Sequence, residues 1–219
     1  LVCITPRDKT ETDMTSRMRC NKRYAVFPKP PHFRLGVPHF PLYGRRLGGT
    51  PFAAQEQNML RYIDHKKMGR SFIGWLDSHF HFSFADYYNP ENIQFGALRV
   101  VNDDKVQPGT GFDTHPHRDM EILSYVIDGE LTHADSMGNK HTLERGGVQY
   151  MSAGTGVLHS EHNLGKDMLR FLQIWILPDK QGHKPNYGDY PFRMEDRENR
   201  WLPIASGVDN SDSAAPIRI

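Results

Sequence analysis

Residues 115–135 read H-P-H-R-D-M-E-I-L-S-Y-V-I-D-G-E-L-T-H-A-D, and this stretch decides the fold class. Ile122–Ile127 is rich in β-branched and aromatic residues, which favour strands. Asp128-Gly129 is a turn signal, so Glu130–Asp135 is predicted to return as the partner strand of a hairpin. The stretch therefore predicts β structure directly after a pair of histidines.

The same pattern extends along the chain on both sides of this stretch. Strand-like segments recur about every 8–12 residues between Gly-rich turns, which is typical of a sandwich or a small barrel. The further segments are Ile93–Val101, Val148–Met151, Val157–His162 and Met168–Leu177. The last is the longest apolar run, but it is much shorter than the about 20 residues of a membrane-spanning helix, and Pro178 follows it. We therefore predict an all-β fold.

The composition excludes several classes of protein. Hydrophobic residues make up 37% and charged residues 24% of the 219 residues, which excludes wholesale disorder, collagen and coiled coil. The net charge of +1 gives no electrostatic footprint for nucleic acid, so no direct nucleic-acid partner is expected. No apolar run approaches about 18 residues, so neither a transmembrane helix nor a membrane partner is predicted. Two cysteines cannot form a disulfide framework, which favours the cytoplasm, or the nucleus in a eukaryote.

Residues 1–58 differ in character from the rest of the chain. They carry ten basic and four acidic residues, whereas residues 59–219 carry 17 basic and 22 acidic ones. Seven of the 15 prolines also lie in this segment, which shows neither helical nor strand periodicity. We predict a basic, Pro-rich extension, which is a targeting peptide, translated upstream sequence or a disordered tail.

Two short pieces carry the chemistry. One residue separates His115 from His117, and one residue separates His159 from Glu161. Residues i and i+2 of a strand project from the same face, so each pair can present two ligands to one metal ion. Three imidazoles and one carboxylate suit a divalent first-row metal (Fe, Mn, Co, Ni, Cu or Zn) and offer too few oxygens for Ca²⁺ or Mg²⁺. Such a set leaves coordination positions open for catalysis at the metal.

A second His-x-His sequence, His79-Phe80-His81, gives a comparison within the chain. Aromatic residues flank it on both sides, so it is predicted to serve core packing or a strand edge rather than metal binding. The same default applies to His133, His141, His162 and His183.

Glycines and an asparagine stand at fixed distances from the two ligand pairs. Together they resemble the two cupin motifs, G-x5-H-x-H-x3,4-E and P-x-G-x2-H-x3-N. Gly154 replaces the usual proline of the second motif. The matching residues are Gly109, His115, His117 and Glu121 in the first motif, and Gly156, His159 and Asn163 in the second.

Longer strings resemble one cupin family, the pirins, and among them the bacterial pirin-like quercetin 2,3-dioxygenases. The resemblance extends from about Met59 to about Pro178. The strings are G-W-L-D-S (74–78), F-S-F-A-D-Y-Y (82–88), F-G-A-L-R-V-V-N-D-D (95–104), H-P-H-R-D-M-E-I-L-S-Y-V-I-D-G-E (115–130), D-S-M-G-N-K (135–140) and Q-Y-M-S-A-G-T-G-V-L-H-S-E-H-N (149–163).

This resemblance implies a fold and a ligand set. Pirins are bicupins, two facing β-barrels with iron in the N-terminal one, so the chain is expected to form a cupin double-stranded β-helix barrel. The family's ligands fall on His115, His117, His159 and Glu161, with Fe(II) as the expected metal. The general cupin pattern would use Glu121 as the carboxylate, and the pirin pattern instead makes Glu121 a residue that packs behind the ligands.

The resemblance also divides the chain. Residues 59–180 are expected to be the metal-binding cupin domain. Residues 181–219 are expected to be a linker with the possible start of a truncated second cupin domain. A largely missing second barrel would leave apolar surface and a strand edge uncovered.

Two functions are implied. The first is dioxygenase cleavage of a flavonol such as quercetin with O₂, in which Glu161 is the general base for the flavonol hydroxyl. The alternative is an iron-binding, redox-sensing regulatory protein that binds a transcription-related protein partner.

Overall fold

The structure is a computed structural model that describes the backbone of residues 2–4, and residues 63–199, 201–207 and 214–219. These ranges contain strands and two 3-10 helices, and no helix in them is long and apolar enough to cross a membrane. The 3-10 helices span His65–Lys67 and Met194–Asp196. The strands are β1 (Val2–Ile4), β2 (Gly69–Phe72), β3 (Leu76–Phe80), β4 (Leu98–Val106), β5 (Thr110–His117), β6 (Glu121–Asp128), β7 (Leu131–Asp135), β8 (Lys140–Leu143), β9 (Gly147–Ser152), β10 (Val157–Asn163), β11 (Leu169–Ile176), β12 (Asn186–Pro191), β13 (Leu202–Ser206) and β14 (Ile217–Arg218).

The strands form two large sheets and one small one. A seven-stranded sheet has the order β12-β9-β6-β11-β4-β3-β2, and a four-stranded sheet has the order β5-β10-β7-β8. β1, β13 and β14 form the small sheet. The predicted all-β class is confirmed.

The two large sheets enclose an apolar interior, as in a cupin barrel. Val126 and Phe171 of the seven-stranded sheet share one buried cluster with Leu131 of the four-stranded sheet. These three side chains are at most 1% exposed. Burial of each contributes about 1.5–3 kcal/mol relative to exposure. Residues that share this interior face can meet across the barrel.

The predicted hairpin between Ile122–Ile127 and Glu130–Asp135 is wrong. Both segments are strands, but β6 pairs with β9 and β11, whereas β7 pairs with β8 and β10. The chain passes from one sheet to the other at Gly129, whose φ is +80°. A Cβ at this position would lie 2.8 Å from the carbonyl oxygen of Met168. The Asp-Gly signal therefore marks a crossover here, because a turn of positive φ serves a crossover as well as a hairpin.

One predicted strand is displaced, and the others are close to their predicted bounds. β4 begins at Leu98, whereas the sequence predicted a strand over Ile93–Val101. Gly96 has a φ of +57° within a tight bridge between Phe95 and Leu98. β6, β7, β9, β10 and β11 each begin and end within one residue of the prediction.

The outer face of the seven-stranded sheet is also apolar. Leu123, Val148 and Ile174 form a buried cluster on it with Ile204 of β13 and Ile217 of β14. Residues of the 181–219 segment thus cover part of this apolar face. β12, in the same segment, pairs with β9 of the large sheet. The assignment of 181–219 to a linker and the start of a second cupin domain stays a prediction.

Of the predicted extension 1–58, the structure describes only Val2–Ile4. This short strand pairs antiparallel with β13. The rest of that prediction lies outside the described residues.

Candidate metal centre

β5 and β10 are neighbours, and they bring the two predicted ligand pairs together. In their register His115 lies opposite His159, and Phe112 lies opposite Glu161. The register shifts between these positions, because β5 holds one extra residue in a β-bulge. The bulge lets Phe112 face the apolar interior on the same side as His115 and His117.

The three predicted histidine ligands form a compact cluster. The ring centroids are 4.4 Å apart for His115 and His159, 4.8 Å for His117 and His159, and 4.9 Å for His115 and His117. The Nε2 atoms of His115 and His159 are 3.0 Å apart. One nitrogen of each ring lies within 4.8 Å of the other two. These distances place three potential metal ligands at one point of the barrel interior.

Burial keeps two of these imidazoles neutral. Burial, together with the neighbouring His115 and His133, lowers the pKa of His159 to about 3. Burial, together with His159 and His115, lowers the pKa of His117 to about 4. Both rings are therefore neutral at pH 7, and the neutral ring is the form that offers a lone pair to a metal.

A hydrogen bond fixes the tautomer of His115. Its Nδ1 lies 2.7 Å from the backbone oxygen of Asp113. A carbonyl oxygen can only accept, so Nδ1 carries the proton. In the neutral ring, Nε2 then has a lone pair that faces Nε2 of His159 at 3.0 Å. This donor set fits a divalent first-row metal, because a cation held between the two nitrogens would satisfy both.

Glu161 is buried beside this cluster but is not part of it. It forms a second potential ligand group with His133 and His159, whose ligand atoms also lie within 4.8 Å of one another. The two groups share His159. The four ligands predicted from the sequence therefore occupy adjoining positions rather than one closed set.

Three side chains of the opposite sheet hold the Glu161 carboxylate. Oε1 accepts a hydrogen bond from Nε2 of Gln149 and lies 2.9 Å from the Ser124 hydroxyl. Oε2 accepts from Nε2 of Gln173 at 2.8 Å. Gln149, Ser124 and Gln173 lie opposite one another on β9, β6 and β11, so they form a polar row on the interior face. Sequence reasoning missed this row, although Ser124 and Gln173 interrupt two runs of apolar residues.

Sequence reasoning also assigned His133 to core packing or a strand edge rather than to the site. The structure places it fully buried at the candidate site, with Nε2 3.0 Å from Oδ2 of Asp135. The available signal was the His-x-Asp spacing on a predicted strand, which puts both side chains on one face.

The remaining predicted residues lie away from the cluster. Glu121 is in neither potential ligand group of the described residues, and its Oε1 accepts a hydrogen bond from the Ser152 hydroxyl at 2.8 Å. Burial raises the pKa of Glu121 above its ordinary value. His79 and His81 likewise belong to neither group within the described ranges.

Comparisons with known proteins agree with this geometry. The family model described as Pirin matches residues 62–176. A pirin-like protein of Caulobacter vibrioides is 49% identical over 71% of this chain and 68% of its own length. The quercetin 2,3-dioxygenase of Escherichia coli is 53% identical over 57% of this chain and 54% of its own length.

A solved structure of a bacterial pirin is also similar to this chain. The bacterial pirin YhhW of Escherichia coli, in complex with nickel(II), has a TM-score of 0.61 and 42% identity, over 69% of this chain and 64% of that chain. The chain spans about half to two thirds of the length of these relatives. Since the family model matches more than half of the 219 residues, the chain belongs to the pirin family.

Proposed function

We propose that this protein is a metal-dependent dioxygenase that cleaves a flavonol such as quercetin with O₂. The observation that carries the proposal is the pair of imidazole Nε2 atoms 3.0 Å apart in the barrel interior. Relatives at about half identity support it, since the Escherichia coli one is named quercetin 2,3-dioxygenase.

The proposed metal is Fe(II), held by His115, His117, His159 and Glu161. The Escherichia coli pirin in complex with nickel(II) supports a divalent first-row ion as the metal of this chain. A bound ion of this class acts as a Lewis acid that stabilises a deprotonated flavonol. The three histidines contribute neutral ligands, so a positive charge remains for the anionic substrate.

Glu161 is the proposed general base for the flavonol hydroxyl. Each carboxylate oxygen can accept about two hydrogen bonds. Among the described residues, Oε1 is surrounded by Gln149 and Ser124, whereas Oε2 has Gln173 alone as its donor. Oε2 therefore has the free lone pair, and the proton is taken there.

The Ser124 hydroxyl can donate its proton to either of two acceptors. Its hydroxyl lies 2.9 Å from Oε1 of Glu161 and 2.8 Å from Oε1 of Gln173. A hydroxyl has a single proton, so it donates to one of these acceptors at a time. When Ser124 donates to Gln173, Glu161 gains a second free lone pair, which allows it to serve as both ligand and base.

Trp175 is the proposed donor to an oxygen of the substrate. Its ring lies 5.0 Å from the His117 ring in an edge-to-face arrangement, two residues beyond Gln173 on β11. The buried indole N–H has no acceptor in the described part of the chain. A buried donor without a partner costs about 1–3 kcal/mol, and a ligand oxygen would remove that cost.

Aerobic incubation of the metal-loaded full chain with quercetin tests the proposal. The expected result is loss of the flavonol absorbance, with release of one carbon monoxide and one depside for each O₂ consumed. Unchanged quercetin in the presence of stoichiometric bound metal would contradict the enzymatic proposal, and the redox-regulatory role would then be the alternative.

A further inference from the structure

A fourth histidine lies behind the three-histidine cluster, and its ring makes two polar contacts with other described residues. His133 projects from β7, which pairs with β10 on the side away from β5. Its Nε2 lies 3.0 Å from Oδ2 of Asp135, and both side chains are fully buried. Its Nδ1 lies 3.5 Å from Nδ1 of His159. His133 thus connects a buried carboxylate to a proposed metal ligand.

The surroundings of Asp135 decide which atom of His133 carries a proton. Oδ1 of Asp135 accepts from the backbone N–H of Met137 at 2.9 Å and of Asn139 at 3.1 Å. Oδ2 accepts from Nδ2 of Asn139 at 2.8 Å. A carboxylate that is bound by these donors acts as an acceptor toward His133 as well, so Nε2 of His133 carries a proton.

Stacking on Tyr187 also fixes the orientation of the His133 ring. Tyr187 stacks on it with ring centroids 4.3 Å apart and an interplanar angle of 15°. With Nε2 directed to Asp135, the opposite ring atom, Nδ1, is directed to His159. In the neutral ring Nδ1 holds a lone pair, so it can only accept from His159.

We infer that the His133–Asp135 pair fixes the tautomer of His159, with the proton on Nδ1 and the lone pair of Nε2 directed at the metal centre. His133 and Asp135 are therefore positioning residues for the metal centre, and this inference rests on the metal centre proposed above. A neutral imidazole has two tautomers, and only one of them offers Nε2 as a ligand. His115 obtains the same tautomer from the backbone oxygen of Asp113.

Mutation of a residue that hydrogen-bonds to a metal-ligating histidine typically weakens metal affinity by about 10- to 100-fold. His133→Phe keeps a ring against Tyr187 but removes both hydrogen bonds. It should weaken Ni²⁺ binding by about 10- to 100-fold in competition with a chelator. His133→Asn retains an acceptor at the position of Nδ1, so it should restore most of the lost affinity.

His141 provides a matched control. It lies opposite His133 on β8 and pairs with a carboxylate of its own, Asp189, at 3.0 Å, but it is exposed. His141→Phe should leave Ni²⁺ affinity unchanged. A merely structural role of a buried histidine does not predict the rescue by asparagine.

Nitrogen-15 NMR of the unmutated protein reads the tautomer directly. The zinc-loaded form should show His159 bound through Nε2 and protonated at Nδ1, whereas without metal Nε2 of His115, at 3.0 Å, competes for the proton of His159. A proton on Nε2 of His159 in the zinc-loaded form would overturn the inference without any variant. Wild-type Ni²⁺ affinity in folded His133→Phe would overturn it as well.

His159→Ala and His115→Ala separate this inference from the metal centre on which it rests. If His159→Ala loses Ni²⁺ while His133→Phe keeps it, the inference alone is wrong. If His159→Ala keeps Ni²⁺, the proposed centre is wrong and the inference falls with it. If His115→Ala keeps Ni²⁺ while His133→Phe loses it entirely, His133 is itself a ligand, and the positioning role is overturned.

Discussion

His115-Pro116-His117 and His79-Phe80-His81 have the same spacing but different surroundings. The first pair lies on β5, whose neighbour β10 places His159 directly opposite His115. Across the strands from His79 lie Arg70 and Asp103, which form ion pairs with Asp77 and Arg170. The first pair therefore meets a third imidazole, whereas His79 meets charges that are already paired.

The two His-x-His pairs also differ in whether the strand continues through the second histidine. β5 extends through His117, but β3 ends at Phe80, so the rule that residues i and i+2 share a face no longer applies to His81. His81 is buried with its ring 4.4 Å from that of Phe82. A His-x-His sequence therefore indicates a metal site only where the strand continues and a neighbouring strand supplies another ligand.

The largest expected effect comes from removing the ligand shared by the two potential ligand groups. His159→Ala should abolish stoichiometric metal binding, because His159 belongs to both groups of possible ligands. His81→Ala should leave the metal content unchanged. Elemental analysis of the two purified variants checks both, and metal loss in His81→Ala would place the metal at the His79-Phe80-His81 sequence instead.

The next largest effect should be the difference in flavonol oxidation between variants of Glu161 and Glu121. Glu161→Gln removes the proposed base and places an amide against the donors of Gln149 and Gln173. Flavonol oxidation should fall by about 10²-fold or more. Glu121→Gln should lower flavonol oxidation by less than about 10-fold, because Glu121 contacts Ser152 away from the cluster.

The order of these two effects in steady-state assays, with both variants shown to be folded, decides the assignment. If Glu121→Gln abolishes metal binding and activity while Glu161→Gln keeps both, the general cupin ligand set applies instead.

A smaller effect is expected from the Trp175 indole, which lies beside His117. Trp175→Phe preserves most of the ring contact and removes the N–H. Loss of one hydrogen bond of about 0.5–1.5 kcal/mol should raise KM for quercetin by about two- to tenfold, with little change in metal content. An unchanged KM would show that the indole N–H does not contact the substrate.

The smallest expected effect concerns the interior near the second His-x-His. Asp104 lies opposite Ser78 on β3, and burial raises its pKa to about 7. Between its ordinary value of 3.8 and about 7, the folded protein holds a proton that the unfolded chain has released. Stability therefore falls as pH rises through this window and stays low above it.

Asp104→Asn removes this dependence, so its Tm should exceed that of the wild type by a few degrees at pH 8 and differ little at pH 4. Asp103→Asn is the matched control, since Asp103 lies on the same strand as Asp104 but already pairs with Arg170 of β11, so it should give no gain in Tm at pH 8. If Asp104→Asn raised the Tm more at pH 4 than at pH 8, the pKa of Asp104 would not be raised in the folded protein.

Much of the barrel could be predicted from local pattern. β6 and β11 are marked by dense runs of β-branched, aromatic and other apolar residues, and these runs predict their bounds within one residue. The pairing of β6 could not be predicted, because the Asp128-Gly129 signal is the same for a hairpin and for a crossover. Pairing depends on contacts far apart in sequence, which local propensity does not record.

The site could be predicted only where spacing carries the information. His115, His117, His159 and Glu161 follow from i, i+2 spacing and family resemblance. The polar row that holds Glu161 comes from three separate strands, and it exists only because their registers align. The bulge that turns Phe112 and His115 to one face is likewise a property of the register.

Anomalous diffraction from crystals of the full chain grown with Ni²⁺ is the most direct test of the proposed metal centre. We expect one peak per chain, bound by the imidazole nitrogens of His115, His117 and His159 and by Glu161. A peak at His79 and His81, or a peak bound by Glu121, would contradict it.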